Sequence, residues 1–398
     1  MITISEIAKN SSLKKFPIIC GLTGLENEVL KTGIIDYEFA IEGFIENNKP
    51  FEYGDFLISS LMFTNGDETA LYLMVEKLIK LRVSGLAIKD VFFKTIPKEV
   101  IKLCNENSFP IIVFDNTVYF EEIINEIDHS LQVSDWINQH EAKIDILINQ
   151  ELSRYEIEII SRDMGIDKNN YAIAYYMNPK KLISHMSMKK TIKNYSKHPY
   201  RNPNNFLLKF KNSFIIIVTS NDSNLKKYEV DFNEILYLTG IRTDDFSIGI
   251  SVIHNVISEI DLCFKEALWS CQVAEIISEE RKKFSEIGSW NLVISNQNSK
   301  YLMRYMENYL NPILKDTSDL SKDLLETTVS YIKCEGNIKL TAKSLNIHEN
   351  TLRYRLNKIR EKLCPNVNDY VFYENTSLAI KVLLLNNQKI KKSLYFCE

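Results

Sequence analysis

The 398-residue chain has little of what loosens or staples a protein. Twelve Gly and nine Pro are too few for long flexible or polyproline linkers, so packed domains joined closely are expected. The seven Cys are odd in number, scattered and without a C-x-x-C pair. That argues against a disulfide framework and a zinc ribbon, and suits a reducing compartment. The six His lie far apart, and the pairs Asp128-His129 and His140-Glu141 are neighbours rather than a ligand set, so neither metal nor other cofactor is indicated. No apolar run approaches the roughly 20 residues of a membrane span. The opening MITISEIAKNSSLKKF lacks the basic-then-apolar order of a signal peptide. A cytoplasmic protein without a membrane partner is expected. No Gly-Gly pair occurs anywhere, and Gly21 and Gly24 are too weak a signal for a phosphate-cradling loop.

What the chain does carry is concentrated near its end, in GNIKLTAKSLNIHENTLRYRLNKIREKL (336–363). It reads as two helices joined by the turn Asn346-Ile347. Ile338, Ala342 and Leu345 line one face of the first. Leu352, Leu356, Ile359 and Leu363 form one apolar stripe at the helical period on the second. At about 100° per residue, Asn350, Thr351, Tyr354, Asn357 and Lys358 then point away from the stripe, flanked by Arg353 and Arg355, with His348 just ahead. Amides and hydroxyls read base edges in the DNA major groove, and cations hold phosphates. From Ile338 to Leu363 seven Lys or Arg face two Glu, a net of +5, in a chain whose net charge is −4. A basic patch on a mildly acidic protein is the footprint of a DNA reader. The same pattern also fits an amphipathic hairpin with a solvated basic face.

The run HENTLRYRLNKI, preceded by LTAKSLNI and the upstream helix LLETTVSYIK, resembles the C-terminal DNA-binding domain of the purine-catabolism-regulator (PucR) family. The sugar-diacid regulators (CdaR type) share that domain. The family core H-x-N-T-L-x-Y-R-L is matched at His348, Asn350, Thr351, Leu352, Tyr354, Arg355 and Leu356. The resemblance extends more weakly over almost the whole chain. It implies a transcription regulator, leaning towards activation and answering a small metabolite of nitrogen or carbon catabolism.

Residues 1–128 alternate strand-like and helix-like runs: Asp55 to Ser60, then Glu68 to Leu81, then Ser84 to Lys89, a helix opened by Pro97, and Phe109 to Asp115. Single-helix crossovers imply a mainly parallel sheet. GDFLISSLMF, LIKLRVSGLAIK, IPKEVIKLCNENSFPIIVFD and VYFEEIINEI are similar to the PucR N-terminal domain, although the family's Thr-Thr-Gly-like end on the first strand is Ser59-Ser60-Leu61 here. Ligands of open α/β sheets collect beyond the carboxyl ends of the strands. Those ends offer Ser59, Ser60, Lys89, Asp90, Asp115 and Asn116 as effector-binding candidates, or as ordinary loop caps.

Residues 129–167 read as a linker helix. Phe120, Ile124, Ile127 and Leu131, then Ile148, Leu152, Tyr155 and Ile159, step as heptad-like seams that fit either a second copy of the chain or packing on the chain's own domain. Residues 168–282, with strands at Tyr171–Tyr176 and Phe246–Ile253, a hairpin around Lys211-Asn212-Ser213 and a long helix to Ile277, resemble the degenerate nucleotide-cyclase-like (GGDEF-like) domain of the same regulators. An enzyme of that fold needs carboxylates for two metal ions and a Gly-Gly hairpin. From Lys168 to Asn221 there is no Asp or Glu, and Asn178-Pro179 stands where the ligands belong. Ten Lys or Arg between Lys168 and Lys211 suit an anionic partner or a solvated face. Residues 283–318 read as a connector, with a helix stopping at Asn311-Pro312.

The expectation is a multidomain α/β plus all-α protein. It has a parallel α/β sensor (1–128), the linker helix, a ferredoxin-like, GGDEF-like α+β middle domain, the connector and a helix-turn-helix domain (319–398). Its partners would be double-stranded DNA, a small-molecule effector and further copies of itself, as a homodimer or higher homo-oligomer. The alternative from another class is a nucleotide cyclase or metabolite-processing enzyme with an accessory DNA-binding tail.

Overall fold

The computed structural model describes residues 2–37 and 50–394. The chain forms two compact units, one of residues 1–142 with 185–193, the other of residues 143–184 with 194–398. Among the described residues no helix is long and apolar enough to cross a membrane.

In the first unit, α1 (Ile4–Asn10) and the edge strand β1 (Ile18–Cys20) precede β2 (Lys31–Ile34), β3 (Asp55–Ser59), α2 (Glu68–Lys80), β4 (Gly85–Lys89), α3 (Lys98–Glu106), β5 (Ile111–Phe114) and α4 (Phe120–Asn149). The strand order is β1-β5-β4-β3-β2. β2 to β5 run parallel and β1 antiparallel. All five residues of β3 are buried, as a parallel strand covered on both faces requires. α2 starts where the Asp67 side chain accepts the Thr69 N–H, and it buries Leu71, Met74, Val75 and Leu78, residues three, four and seven positions on from the first, as one helical face requires.

α4 is a single thirty-residue helix, but its first turns are not an intermolecular seam. Ile123 and Ile127 are buried in the same core as Ile58, Phe114 and Val118. The second expected seam is interrupted. α4 ends at Asn149, and Ser153 opens a new helix, α5 (Arg154–Asp163), through a reciprocal capping box with Glu156. Tyr155 and Ile159 are 71% and 41% exposed, and the buried residue is Ile157. The expected second seam therefore spans two helices, and the part of it on α5 does not pack on the chain's own core.

The chain continues with β6 (Tyr171–Pro179), α6 (His185–Ser196), β7 (Phe206–Phe210), β8 (Ser213–Ser220), α7 (Leu225–Thr239), β9 (Phe246–Ile250), α8 (Val256–Ile277) and β10 (Arg281–Lys283); most of α6 belongs to the first unit and the other elements to the second. The strand order is β10-β9-β6-β8-β7; β6 to β9 pair antiparallel and β10 joins β9 in parallel. α7 packs through Phe232, whose ring stacks on Tyr175 at 4.0 Å. α8 lies so close to β9 that a Cβ on Gly249 would come within 2.0 Å of the Ala267 carbonyl oxygen and 2.1 Å of the Cys271 nitrogen.

α9 (Trp290–Ser295), α10 (Lys300–Leu314), α11 (Asp319–Lys333), α12 (Ile338–Ser344), α13 (Glu349–Leu363) and α14 (Asp369–Leu394) follow. The expected connector is instead part of a core: Trp290, Val293, Ile294, Met306 and Leu310 are buried together with Ile332, Ala379, Ile380 and Leu385. α10 runs through Pro312 to Leu314. A proline in the last turn forfeits a single backbone bond, and burial of Ile313 offsets it.

Two outcomes follow. Gly249→Ala forces α8 off the sheet and should cost about 1–3 kcal/mol or more, read as a lowered melting temperature; an unchanged melt would mean that the helix has room to move. His254 is half-buried, with Nε2 2.9 Å from Glu266 and Nδ1 3.4 Å from Glu259. Burial alone would lower its pKa, but the two carboxylates outweigh burial and raise it. The stabilisation is therefore complete below the unfolded value near 6.5 and fades as pH rises through the elevated folded value. The melting-temperature gap between the native chain and His254→Gln should narrow from about pH 6 to pH 9; a gap that widens refutes the pairing.

Candidate functional site

The C-terminal helices are set by their caps. The Ser318 side chain accepts the Ser321 N–H at the start of α11, and Asn337 accepts the Leu340 N–H at the start of α12. Asn346 takes the left-handed conformation, φ 52°, and the Ile347 N–H donates to the Ala342 carbonyl. Asn tolerates that conformation better than most residues, so the chain turns tightly into α13. His348 is the N-cap of α13, its Nδ1 accepting the Asn350 N–H at 3.2 Å.

Leu352 and Ile359 are fully buried. Ile359 shares a core with Ile313, Leu324 and Phe372, against which Leu356 and Leu363 are half-buried. This orientation leaves His348, Asn350, Thr351, Arg353, Tyr354 and Asn357 exposed on α13, with Lys358 half-buried. The Lys358 ammonium lies 6.0 Å from the Tyr354 ring centre and 2.7 Å from Glu361, whose carboxylate raises its pKa.

Arg355 does not join that face. Its guanidinium turns back to α11, 2.8 Å from Asp323 and 3.2 Å from the Thr327 hydroxyl, leaving its side chain 23% exposed. Arg360 pairs with Asp369. Lys362 lies 2.7 Å from Asp316, a carboxyl held well below its usual range by that lysine and the hydroxyls of Ser321 and Ser318. Four of the seven cations counted in the sequence are thus neutralised within the chain. Lys339, Lys343 and Arg353 are exposed and have no ion-pair partner among the described residues.

At the carboxyl ends of the parallel strands the six effector candidates separate. Ser59 is buried and committed: its hydroxyl donates to the Ile35 carbonyl and accepts the Leu61 N–H. Leu61, where the related pattern has Gly, is left-handed with φ 55°. Asp115 caps its own turn on Thr117, whose hydroxyl and N–H lower its pKa. The Asp90 N–H donates to the Phe114 carbonyl, and Asn116 is exposed. Ser60 and Lys89 alone of the six line a hollow of about 410 Å³, together with Tyr119, Phe120 and Glu121. Those last three were missed because they lie at the start of α4; the signal available was that a helix begins directly beyond the end of β5.

Truncating Leu352 to Ala should cost about 2–5 kcal/mol and melt the C-terminal helices first, as seen by hydrogen exchange. Unaltered protection there would mean that α13 is turned the other way.

Residues 6–131 match the purine catabolism regulatory protein-like family, and residues 324–382 match the PucR C-terminal helix-turn-helix domain. The DNA-binding transcriptional activator AdeR of Bacillus subtilis (strain 168) is 31% identical over 161 residues, 33% of this chain and 38% of AdeR. The proline-responsive transcriptional activator PutR of the same strain is 25% identical over 126 residues, 31% of each chain. The chain thus matches about a third of the length of these relatives. The crystal structure of a regulator of polyketide synthase expression from Bifidobacterium adolescentis aligns with 62% of this chain and 97% of its own at 14% identity and a TM-score of 0.29, too low to carry an argument. The chain therefore carries a PucR-like N-terminal domain and a PucR C-terminal helix-turn-helix domain.

Proposed function

We propose that this chain is a cytoplasmic, sequence-specific DNA-binding transcriptional regulator, acting as an activator under the control of a small metabolite. The observation that carries the reading is the face of α13. Burial of Leu352 and Ile359 turns two amides, a hydroxyl and an aromatic ring outward on a capped helix, with three uncommitted cations nearby. Asn350, Thr351, Tyr354 and Asn357 read base edges; Lys339, Lys343 and Arg353 hold phosphates; Lys358 steadies Tyr354 and exchanges Glu361 for DNA. His348 and Arg355 position the helix. One such helix makes few base contacts, and domains of this kind bind as pairs on half-sites about one turn apart, so the acting species is a homodimer or higher homo-oligomer.

We read residues 168–282 as a non-catalytic, ferredoxin-like relative of the cyclase fold. Support comes from β6 to β9, whose spatial order β9-β6-β8-β7 is that of a βαββαβ unit. At the place where metal carboxylates would stand, the Asn178 amide donates to Glu275 and accepts from the Ser213 hydroxyl at the hairpin. An amide locked between a hydroxyl and a carboxylate favours regulation over the enzyme alternative.

The test is fluorescence anisotropy with DNA from upstream of the chain's own coding region and with random DNA. Asn350→Ala and Tyr354→Ala should lose about 1–3 kcal/mol on the preferred site and relax its preference. Lys339→Ala, Lys343→Ala and Arg353→Ala should weaken both DNAs and each reduce the salt slope by about 1 per bound copy. Arg360→Ala and Lys362→Ala should leave that slope nearly unchanged. No binding to either DNA, or equal losses on both for Asn350→Ala, would overturn the base-reading assignment.

A further inference from the structure

The hollow beside β3 and β4 has an unusual wall. The Lys89 ammonium is held 5.5 Å from the Tyr119 ring centre and 5.7 Å from that of Phe120, an arrangement that fixes a cation without neutralising it. Glu121 lines the same space from the first turn of α4. Lys89, Glu121 and Ser60 make no direct hydrogen bond or ion pair among the described residues; Lys89 feels the Asp115 carboxylate at longer range, and the two charges of the hollow do not pair with each other. A cation, an anion and a hydroxyl, none of them in a direct pair and all sharing one hollow with two aromatic rings, form a dipolar wall. The volume, about 410 Å³, is in the range of small-ligand sites.

Resting on the sensor reading above, we propose that this hollow binds a zwitterionic amino acid. Its carboxylate meets Lys89 and the Ser60 hydroxyl, its ammonium meets Glu121, and its side chain lies against Tyr119 and Phe120. The opposed charges select against the neighbouring classes. A dicarboxylate would set one anion against Glu121, and a simple amine would set its cation against Lys89. Only a ligand with both signs a few bonds apart satisfies both groups, and a charge left facing its own sign or facing nothing is costly.

The experiment is isothermal titration of the full chain with the proteinogenic α-amino acids one at a time. Aliphatic dicarboxylates, simple amines and purine-derived ureides serve as the contrasting panel. For each amino acid that binds, the N-acetyl and amide derivatives follow. Binding of at least one free amino acid is expected, with each derivative at least about tenfold weaker. Lys89→Met and Glu121→Gln should each weaken it by a similar factor, and Glu121→Lys should move the preference towards dicarboxylates. Both side chains are at the surface of the hollow, and far-UV circular dichroism checks that the variants fold. Amino-acid binding that neither variant alters would overturn the site. A ligand of another class that depends on Lys89 but not on Glu121 would overturn the amino-acid assignment and leave the sensor reading standing. No binding from any class would overturn both.

Discussion

The rotation of α13 about its own axis is the constraint on which the proposed DNA-facing surface depends. Leu352 and Ile359 are seven residues apart, nearly two turns, and both are fully buried. Turning the helix by one residue would expose both and bury charged neighbours such as Arg353, at a cost of several kcal/mol from lost apolar burial alone. The positions of Asn350, Tyr354 and Asn357 therefore follow from the core beneath them. Ile359 sits against Leu324 and Phe372, so α11 and α14 determine what α13 presents, although they carry none of the side chains proposed to read bases. The two helices of the expected connector extend the same core, which is why a helix-turn-helix motif here needs more chain than its own three helices.

Charge in this region is divided between holding the fold and holding a partner. Arg355 bridges to Asp323, Lys362 to Asp316 and Arg360 to Asp369, each pair joining two different helices or a helix to the segment before it. Exposed pairs of this kind contribute up to about 1 kcal/mol, and Asp323 and Asp369 are largely solvent-facing. Their main effect is directional: they draw three cations away from the outward face of α13. The +5 counted along the sequence thus overstates the free charge that face offers to a partner.

Much of this architecture is legible in the sequence because local signals agree with tertiary packing. The buried parallel strands read as continuous apolar runs, the α2 face as apolar residues three and four apart, and the turn into α13 as an Asn that accepts φ 52° ahead of a capping His348. The signal fails where a tertiary partner decides. Arg355 looks like a phosphate contact until Asp323, thirty-two residues away, is seen beside it. Ile127 looks like a seam until Phe114 and Val118 are seen to cover it. Ser59 looks like a ligand group until its hydroxyl is found satisfied by Ile35 and Leu61. In each case the residue type and spacing were read correctly and the partner was not in the same stretch of chain. The replacement of the related family's Gly by Leu61 is a different kind of departure. The left-handed conformation costs a non-glycine residue roughly 1–2 kcal/mol, and the full burial of the Leu61 side chain offsets it.

The same core limits how an effector in the hollow could act. Phe120 and Glu121 line the hollow, and the next turn of the same helix, through Ile123 and Ile127, is buried in the domain core. Drawing α4 towards a ligand would expose these two side chains, at about 1.5–3 kcal/mol for each one fully uncovered. Typical coupling between two sites is only about 1–3 kcal/mol, so a ligand could not drive that displacement and still bind well. Coupling must use motions that leave Ile123 and Ile127 in place. The first turn of α4, Tyr119 ahead of it and the Lys89 side chain can rearrange without uncovering the core, and Tyr119 is 69% exposed. A ligand that prefers one arrangement of these groups shifts their populations by its differential affinity and no more. A signal from the proposed hollow would leave it through the start of α4 as a small redistribution between packed states rather than as a sliding helix.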